Sequence, residues 1–345
     1  MMNETILLIG NFLSSHGYNP TAIEELHDAL STKYIIHHSS TKQNRLVRLF
    51  DMIYLIINNR KSSKLIIVDV FGTYAFYYSV LVISIAKMMQ ISYLPVFRGG
   101  SLPERYRKNP RLFNFLFNRC SKIICPSNYL ADFFLKDKFP VEIIHNYINI
   151  KKYKFKARNL IQPNLFWVRS IHSIYNPEMA IKVLFELRKI KPQAKLCMVG
   201  PVKDGSIHKM KLLIKKLKLD AHVLISGKLE KEEWIKLSSD YDIFINTTNF
   251  DNHPISIIEA MALGLPIVST NVGGIPNLLV NDKTAKLVQP NDVSSMVSKI
   301  LEYISNDYER IQISNSARDV AVENYNKEKN IQKWFKIINT SINNG

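Results

Sequence analysis

Short apolar runs of strand length alternate with helix-length segments along almost the whole chain. Because buried parallel strands read as continuous apolar runs and need crossover helices between them, this alternation predicts an α/β protein with parallel sheets. The predicted strands lie in TILLIG, YIIHHSS, LIIVDV, ISYLPVF, KIICPS and VEIIHN in the first half, and in LFWVRS, KLCMVGP, HVLISG, YDIFINT, LPIVST and AKLV in the second.

The strand pattern comes in two series, which predicts two doubly wound domains in tandem. A basic and polar stretch at 153–163 ends in proline and separates the series. We therefore expect a first domain over residues 1–157 and a second over residues 158–325, with ligands at the carboxyl ends of their strands. The remaining residues, 326–345, have the pattern of an amphipathic helix and are expected to pack back on the first domain.

Positive charge is concentrated in the first half of the chain. The formal net charge is +17, and residues 1–160 hold 22 Lys or Arg against 10 Asp or Glu, a net of +12. Cations alternate with aromatic residues in Arg98–Arg119 and in Lys151–Arg158. Such a face suits an anionic membrane surface, a phosphate-bearing substrate or nucleic acid, and the alternative is an ordinary solvated surface rich in lysine.

One uncharged segment, VFGTYAFYYSVLVISIA at 70–86, has the minimum length of a bilayer span. It directly follows the strand-like KLIIVDV, so a buried helix is the favoured interpretation. The N-terminus lacks the basic region and the cleavage site of a secretion signal. Cys120, Cys125 and Cys197 have no metal-ligand spacing, which indicates reduced thiols in a cytosolic protein.

A single carboxylic acid, Glu259, lies in the apolar run from Pro254 to Leu263. Proline suits the first position of a helix and Gly264 suits its end, so the run predicts a helix. A fully buried glutamate is rare unless it is paired, because an unpartnered carboxylate is costly to remove from water. Its partner is therefore either protein, such as a buried Arg or Lys, or a ligand.

The start of this predicted helix has the properties of an anion site. Unpaired N–H groups and a partial positive charge favour a phosphate there, and Ser256 adds a hydroxyl. Glu259 lies about 7.5 Å further along the axis, a span comparable to that from a nucleotide's diphosphate to its ribose. Asp251 precedes the helix and either reaches a sugar beyond the phosphates or caps the helix. The Gly-Gly turn in NVGGIPNLL offers further backbone N–H groups to a diphosphate.

The residues around this helix resemble those of a known enzyme family. In DNHPISIIEAMALGLPIVSTNVGGIP, Asp251 and Glu259 form an Asp-x7-Glu pattern, which resembles the Glu-x7-Glu signature of the retaining glycosyltransferases of family four. The Glu-Ala-Met-Ala-x-Gly-x-Pro run and the Gly-Gly turn match as well, and weaker similarity extends over almost the whole chain. The resemblance implies the GT-B fold, in which two Rossmann-like domains face each other across a cleft.

The resemblance also implies roles for individual residues. Arg169 would neutralise the leaving diphosphate, Asp251 would contact the transferred sugar, and Glu259 would hold the ribose; these three would be the catalytic residues. Lys228 and its neighbour would cradle the base, and a glycine in the first domain would let the chain pass close to the donor. The implied donor-binding residues are Gly10, Arg169, Lys228, Leu229, Asp251, Asn252, His253, Ser256, Ile257 and Glu259.

Three positions depart from the family pattern. The first acid is Asp251 instead of glutamate and is one methylene shorter. Ile174 stands where a lysine usually follows the arginine by five residues, so Arg169 would meet the phosphate charge alone or with help from a cation such as His172. Arg98 stands in an Arg-Gly-Gly element where the family usually has a histidine.

These features predict an enzyme that transfers a sugar from a nucleoside-diphosphate sugar to a glycan or lipid-linked acceptor in cell-surface polysaccharide or lipopolysaccharide synthesis. The reaction would proceed with retention, in which Arg169 and the helix start would meet the charge on the diphosphate. No metal or other cofactor is expected, since no Asp-x-Asp pair is identified that would hold a divalent ion. Inversion would instead need a base, for which His16 and His253 are candidates.

The acceptor is expected on the basic first domain, at the cytoplasmic face of the cell membrane, where the protein would be peripheral. An anionic membrane surface is therefore an expected partner, and nucleic acid is not, since no nucleic-acid-binding motif is present. Two alternatives stay open, a nucleotide-sugar isomerase or phosphorylase on the same scaffold and a non-catalytic protein that binds polyanions or membranes. The residues expected on the acceptor or membrane side are His16, Arg98, Arg105, Arg107, Lys108 and Arg111.

Overall fold

The computed structural model describes residues 4–17 and 20–343, which form two compact units. The first unit contains the described residues up to Asn146 together with those from Glu328 onward. The second unit is the continuous segment between them. Each unit has its own sheet and its own apolar core.

The first unit is built on a six-stranded parallel sheet in the order β2-β1-β3-β4-β5-β6. Its order around β1 and β3 is that of a doubly wound sheet, in which the connections reverse direction between those two strands. The strands are β1 (Thr5–Ile9), β2 (Ile35–Ser39), β3 (Ser63–Val70), β4 (Ser92–Phe97), β5 (Ile123–Cys125) and β6 (Val141–Ile143). The helices that connect them are α1 (Ala22–Leu30), α2 (Arg45–Asn58), α3 (Phe76–Met88), α4 (Leu102–Lys108), α5 (Pro110–Phe117) and α6 (Asn128–Lys136).

The second unit has another six-stranded parallel sheet, in the order β9-β8-β7-β10-β11-β12. In chain order this is 3-2-1-4-5-6, the strand order of a Rossmann fold. The strands are β7 (Asn164–Val168), β8 (Lys195–Val199), β9 (Val223–Gly227), β10 (Ile243–Asn246), β11 (Ile267–Thr270) and β12 (Lys286–Val288). The helices are α7 (Pro177–Ile190), α8 (Ser206–Lys216), α9 (Lys231–Leu237), α10 (Ile255–Leu263), α11 (Ile275–Leu278), α12 (Val293–Ser305) and α13 (Asp307–Asn324).

The prediction of two Rossmann-like units of parallel strands is confirmed, and each predicted strand segment overlaps an observed strand. Side chains alternate along these strands between two buried faces. On β7, Leu165 and Trp167 belong to one apolar cluster, and Phe166 between them belongs to another. Both faces are therefore covered, as the continuous apolar strand pattern indicates.

The boundary between the units lies after Asn146, whereas the sequence pattern places it after residue 157. The intervening segment is basic and polar, which reads as a linker. However, Ile148, Ile150 and Tyr153 are buried in an apolar cluster of the second unit. These three side chains attach the segment to that unit.

The C-terminal amphipathic segment forms α14 (Lys327–Asn343), which belongs to the first unit from Glu328 onward. Trp334 and Ile338 on this helix are buried. The hydroxyl of Tyr34 donates a 2.8 Å hydrogen bond to the Asn339 side-chain oxygen, and its ring lies against Phe335. These contacts attach helix α14 to Tyr34, the residue just before β2.

The uncharged segment at 70–86 forms the end of β3 and most of α3, which has 13 residues. A helix of that length rises only about 20 Å, well short of a bilayer core. Within residues 4–17 and 20–343, no helix combines the length and hydropathy that a membrane crossing requires.

Candidate functional site

Helix α10 lies at the carboxyl end of β10 and is almost entirely buried from Ser256 to Leu263. It starts at Ile255, because Pro254 is extended (φ −71°, ψ 119°) and serves as the N-cap residue. The prediction that Pro254 is the first helical residue is therefore wrong by one position. Gly264 ends the helix in the left-handed conformation at φ 71°, which confirms the predicted stop.

The carboxylate of Glu259 is buried and has protein partners. The hydroxyl of Tyr153 donates a 2.7 Å hydrogen bond to Oε1 of Glu259, and Nζ of Lys231 lies 3.2 Å from the same oxygen. The sequence left open whether the partner of Glu259 is protein or a ligand, and the structure shows protein partners. The Lys231 side chain is 40% exposed, so its ammonium group can move away from Glu259 into solvent without disturbing the core.

Tyr153 is fixed from both ends. Its ring is buried beside Trp234, and its carbonyl oxygen accepts a 3.1 Å hydrogen bond from Nη1 of Arg318. Neither Tyr153 nor Lys231 was predicted as a site residue. Lys231 is three residues from the predicted Lys228, and Tyr153 is an aromatic residue in a cationic stretch that reads as surface.

Arg169 follows β7 and forms a mostly buried ion pair with Asp251, whose side chain is 14% exposed. The guanidinium also stacks 4.3 Å from the ring centre of Tyr175. Burial lowers the pKa of Arg169, while Tyr175 and the negative charge of Glu259 act in the opposite direction. Arg169, Asp251 and Glu259 therefore belong to one electrostatic cluster.

Asp251 does not cap helix α10, since no side chain caps that helix. One of its carboxylate oxygens accepts a 2.8 Å hydrogen bond from the backbone N–H of Asn252, and the other faces Arg169. The helix-cap alternative for Asp251 is therefore excluded. The sequence did not indicate that Asp251 and Arg169, 82 positions apart, would pair with each other.

The Gly-Gly turn packs against the loop that carries Asp251. The N–H of Gly274 donates a 2.8 Å hydrogen bond to the Asp251 carbonyl. A Cβ atom on Gly273 would overlap that carbonyl oxygen, and one on Gly274 would overlap the carbonyl oxygen of Asn252. The expectation that this turn offers its N–H groups to a diphosphate is wrong for Gly274, because its N–H already donates to the carbonyl oxygen of Asp251.

Two buried polar atoms, one in the first turn of α10 and one on Arg169, have no hydrogen-bond partner among the described residues. The Ser256 hydroxyl is buried, and it has no hydrogen-bond partner among the described residues. The same holds for Nε of Arg169. Since buried donors are normally paired, a hydroxyl at a helix start and an arginine nitrogen left in this condition fit an anionic ligand.

The other residues expected at the donor are packed in the second unit. His253 is buried with its ring edge-on to Tyr325 at 5.3 Å, and Ile257 is fully buried. Asn252 is buried beside Asp251. Lys228 lies 3.4 Å from Glu230 in the turn before α9, where Leu229 packs on the apolar core.

Gly10 and His16 lie in the first unit. A Cβ atom on Gly10 would come within 3.0 Å of the Ile23 side chain and 3.3 Å of the Asp69 carboxylate, so packing inside the unit leaves little room for a larger residue there. His16 is exposed, and its Nε2 lies 2.8 Å from the carbonyl oxygen of Thr41.

The predicted basic surface divides into buried and exposed cations. Nε of Arg98 donates a 2.9 Å hydrogen bond to the carboxylate of Asp69, whose pKa is raised by burial. Arg105 is half-buried, donates to the carbonyl of Gly72 at 2.8 Å and stacks on Phe76. Both arginines are thus held by contacts within the unit, and their expected position on the acceptor or membrane side stays a prediction. The exposed cations of this segment include Arg107, Lys108 and Arg111.

Within residues 4–17 and 20–343, the acidic groups do not form a recognisable metal centre. In the part of the chain that the structure describes, no cluster of three or more His, Cys, Asp or Glu side chains is arranged to hold a metal ion. The expectation that the chain lacks an Asp-x-Asp pair is wrong, because Asp240 and Asp242 form one. These two acids precede β10 at its amino end, however, whereas Asp251 and α10 follow its carboxyl end.

The sequence profile of a family described as glycosyl transferases group 1 matches residues 150–320. This region contains Arg169, Lys231, Asp251 and Glu259. The chain belongs to the glycosyl transferases group 1 family. Among curated members of similar sequence, the poly(ribitol-phosphate) alpha-N-acetylglucosaminyltransferase of Staphylococcus aureus (strain COL) is 26% identical over 142 residues, which are 41% of this chain and 28% of that protein.

Solved structures show that the likeness in fold extends over both units of this group 1 glycosyltransferase family member. Anabaena Alr3699/HepE in complex with UDP has a TM-score of 0.77 at 15% identity, and the match covers 98% of this chain and 100% of that one. Sucrose-phosphate synthase from Thermosynechococcus elongatus has a TM-score of 0.80 at 14% identity, covering 99% and 100%. The chain spans less than a third of the length of the first curated relatives that it matches.

Proposed function

We propose that this protein is a retaining glycosyltransferase that transfers a sugar from a nucleoside-diphosphate sugar to a hydroxyl of a glycan or lipid-linked acceptor. The observation that carries the proposal is the cluster of Arg169, Asp251, Ser256 and Glu259 around the start of α10. The whole cluster lies within the region that matches the group 1 profile. It combines a buried cation, an unsatisfied hydroxyl at a helix start and two carboxylates.

Each part of the cluster suits one part of the donor. The start of α10 and Ser256 would bind the diphosphate, and Arg169 would neutralise the charge that grows on it as the glycosidic bond breaks. Arginine remains protonated in proteins even where burial lowers its pKa, so it can serve this role at neutral pH. Asp251 would exchange its contact with Arg169 for hydroxyls of the transferred sugar.

Glu259 would accept hydrogen bonds from the ribose hydroxyls. The half-buried Lys231 can leave the carboxylate when the ribose arrives, while the Tyr153 hydroxyl keeps Oε1 in place. A UDP donor is supported by the structural likeness to Anabaena Alr3699/HepE, whose crystal structure contains UDP. GDP and ADP donors are the alternatives that binding experiments must compare.

Retention would follow if the acceptor attacks from the face that the diphosphate leaves, with the diphosphate taking the acceptor proton. This route needs no enzyme nucleophile and no bound metal. The buried and packed state of His253 supports it, because a general base must reach the acceptor hydroxyl. His16 remains the candidate base for an inverting reaction.

The acceptor and the location of the enzyme are proposed from charge. The basic first unit would bind a phosphate-bearing or lipid-linked glycan at the cytoplasmic face of the cell membrane, with Arg107, Lys108 and Arg111 exposed toward anionic groups. The S. aureus relative supports this acceptor class, because its name states transfer to poly(ribitol-phosphate).

A thermal-shift screen with UDP, GDP, ADP and their sugar conjugates tests the donor assignment. The correct nucleotide at a hundredfold excess over Kd should raise the melting temperature by roughly 5–10 °C. Glu259→Ala should abolish the shift, and Asp251→Ala should weaken only the part that depends on the sugar. Glu323→Ala, at an exposed acid of the same unit, is the control. A full shift in Glu259→Ala would contradict the proposal.

Product analysis separates transfer from the other reactions that this scaffold could support. A transferase should consume the sugar nucleotide only when an acceptor glycan is added. Consumption without an acceptor would indicate an isomerase, and a requirement for orthophosphate would indicate a phosphorylase. Either result would contradict sugar transfer to an acceptor, but it would not contradict the assignment of the nucleotide-binding residues.

A further inference from the structure

Three helices of the first unit lie side by side on one face of its sheet. The connections from β2 to β3, β3 to β4 and β4 to β5 all run in the same direction across the sheet, and right-handed crossovers place their helices on one face. The hydroxyl of Tyr78 on α3 donates to the carbonyl of Arg45 on α2 at 3.2 Å. Lys87 of α3 contacts the carbonyl of Phe115 on α5. Helices α2, α3 and α5 therefore form one continuous layer.

The outer side of this layer exposes large apolar side chains. On α2, Phe50 is 69% exposed and Tyr54 is 67% exposed, one helical turn apart. Helix α1, on the opposite face of the sheet, exposes no large apolar side chain. Among the described residues of the unit, ten of the twelve exposed large apolar side chains lie on this layer or the turn leading into it. They are Leu46, Val47, Phe50, Tyr54, Ile57, Tyr74, Tyr77, Leu81, Met88 and Phe115, here called the α2–α3–α5 surface.

The charge around the α2–α3–α5 surface is strongly positive. Residues 42–119 contain thirteen lysines and arginines and three acids. Of the acids, Asp69 is buried against Arg98, and Asp51 accepts a hydrogen bond from Ser39 at 2.8 Å. The cations at both ends of α2, at the end of α4 and at the start of α5, by contrast, are exposed. They are Lys42, Arg45, Arg60, Lys61, Arg107, Lys108 and Arg111.

We propose that the α2–α3–α5 surface docks on an anionic lipid bilayer, with Phe50, Tyr54 and their apolar neighbours in the interface and the surrounding cations on the headgroups. Aromatic and aliphatic side chains bordered by lysine and arginine are the composition of segments that lie in the plane of a membrane. The inference rests on the membrane location proposed above and identifies the surface that would bind the membrane.

Other occupants fit these residues less well. A dissolved polyanion would neutralise the cations but would leave the apolar side chains in water. A second copy of the chain would cover the apolar side chains but would bring two positively charged surfaces together. An anionic bilayer can bind both the cations and the apolar side chains, because its charged headgroups lie only a few ångströms from its apolar interior.

Vesicle sedimentation with the full chain tests this proposal. The vesicles are made of phosphatidylcholine alone or of an equal mixture with phosphatidylglycerol. The test variant is Phe50→Ser with Tyr54→Ser, and its control is Leu212→Ser with Tyr308→Ser in the other unit, where the two side chains are 71% and 73% exposed. Because all four are exposed, both variants should keep the melting temperature of the parent.

The parent and the control should bind the mixed vesicles more tightly than the neutral ones. The test variant should lose roughly tenfold or more in partitioning, since two aromatic side chains no longer enter the interface. Arg45→Gln with Lys61→Gln should weaken binding to the mixed vesicles only. The nucleotide-induced thermal shift should be unchanged in all variants, so failure of the docking surface is distinguishable from failure of the donor site.

Three results would overturn the proposal. One is equal binding of the parent to neutral and mixed vesicles, and another is equal partitioning of the test and control variants. The third is self-association of the parent in analytical ultracentrifugation that the test variant abolishes, which would assign the surface to a second copy of the chain.

Discussion

At the scale of single residues, the buried carboxylate of Glu259 is satisfied by groups that are distant in sequence. Tyr153 precedes Glu259 by 106 positions in the sequence, and Lys231 is the first residue of helix α9. The sequence indicates that Glu259 must have a partner, since an acid in an apolar helix is otherwise unstable. It does not identify the partner, because Tyr153 lies among lysines in a stretch that is typical of an exposed surface.

Tyr153 should affect nucleotide binding through its hydroxyl alone. Tyr153→Phe keeps the ring in its packing site and removes one hydrogen bond to the carboxylate, so UDP affinity should fall about tenfold. Isothermal titration calorimetry measures this change. Tyr303→Phe is the control, since Tyr303 is equally buried but donates to the backbone carbonyl of Ile267. Equal affinity losses in both variants would contradict a positioning role for Tyr153.

His145 should make the stability of the protein depend on pH. Its Nδ1 lies 2.9 Å from the Pro126 carbonyl, and burial lowers its pKa below the ordinary value of 6.5. The unfolded chain therefore takes up a proton more readily than the folded one, and stability is lost as pH falls from about 6.5 toward the folded-state pKa.

Urea unfolding of the parent and of His145→Gln at several pH values measures this contribution. Glutamine can still donate to the carbonyl but does not titrate. The parent should lose stability by up to about 1.4 kcal/mol per pH unit relative to the variant below pH 6.5. Parallel stability curves for the two proteins would show that His145 does not contribute.

At the scale of elements, the loop before α10 depends on the glycine pair that follows β11. The sequence identifies the strand, the helix and the glycines, because each has a strong local signal. It assigns the glycines to a ligand, since a Gly-Gly turn near an anion site is typical of phosphate binding. The structure instead shows the carbonyl oxygens of Asp251 and Asn252 filling the space that side chains would need.

Gly274→Ala should therefore destabilise the second unit. The added methyl group would force the Asn252 carbonyl away, at a cost of roughly 1–3 kcal/mol, and would displace Asp251 from Arg169. Gly205→Ala is the matched control, because a Cβ atom there meets nothing within 4 Å and the backbone is in the right-handed helical region. Chemical denaturation of both variants tests this difference, and equal stabilities would contradict the account.

At the scale of the whole molecule, the sequence predicts two parallel-sheet units and the concentration of positive charge in the first. Both follow from regular patterns that extend over many residues. The apolar surface on α2, α3 and α5 was missed, because apolar residues on a helix beside a sheet are normally read as core. Conversely, Phe113 and Phe117, which the sequence places among the basic surface residues, are fully buried. Only the packing of the helices decides which side of each faces outward.

The most direct test of the central claim is a crystal structure of the protein with UDP or with the nucleotide that gives the largest thermal shift. In that structure the ribose hydroxyls should donate to Glu259 in place of Lys231. The diphosphate should contact Ser256 and the start of α10, and Arg169 should face the diphosphate. A nucleotide bound elsewhere, with Glu259 still paired to both Tyr153 and Lys231, would contradict it.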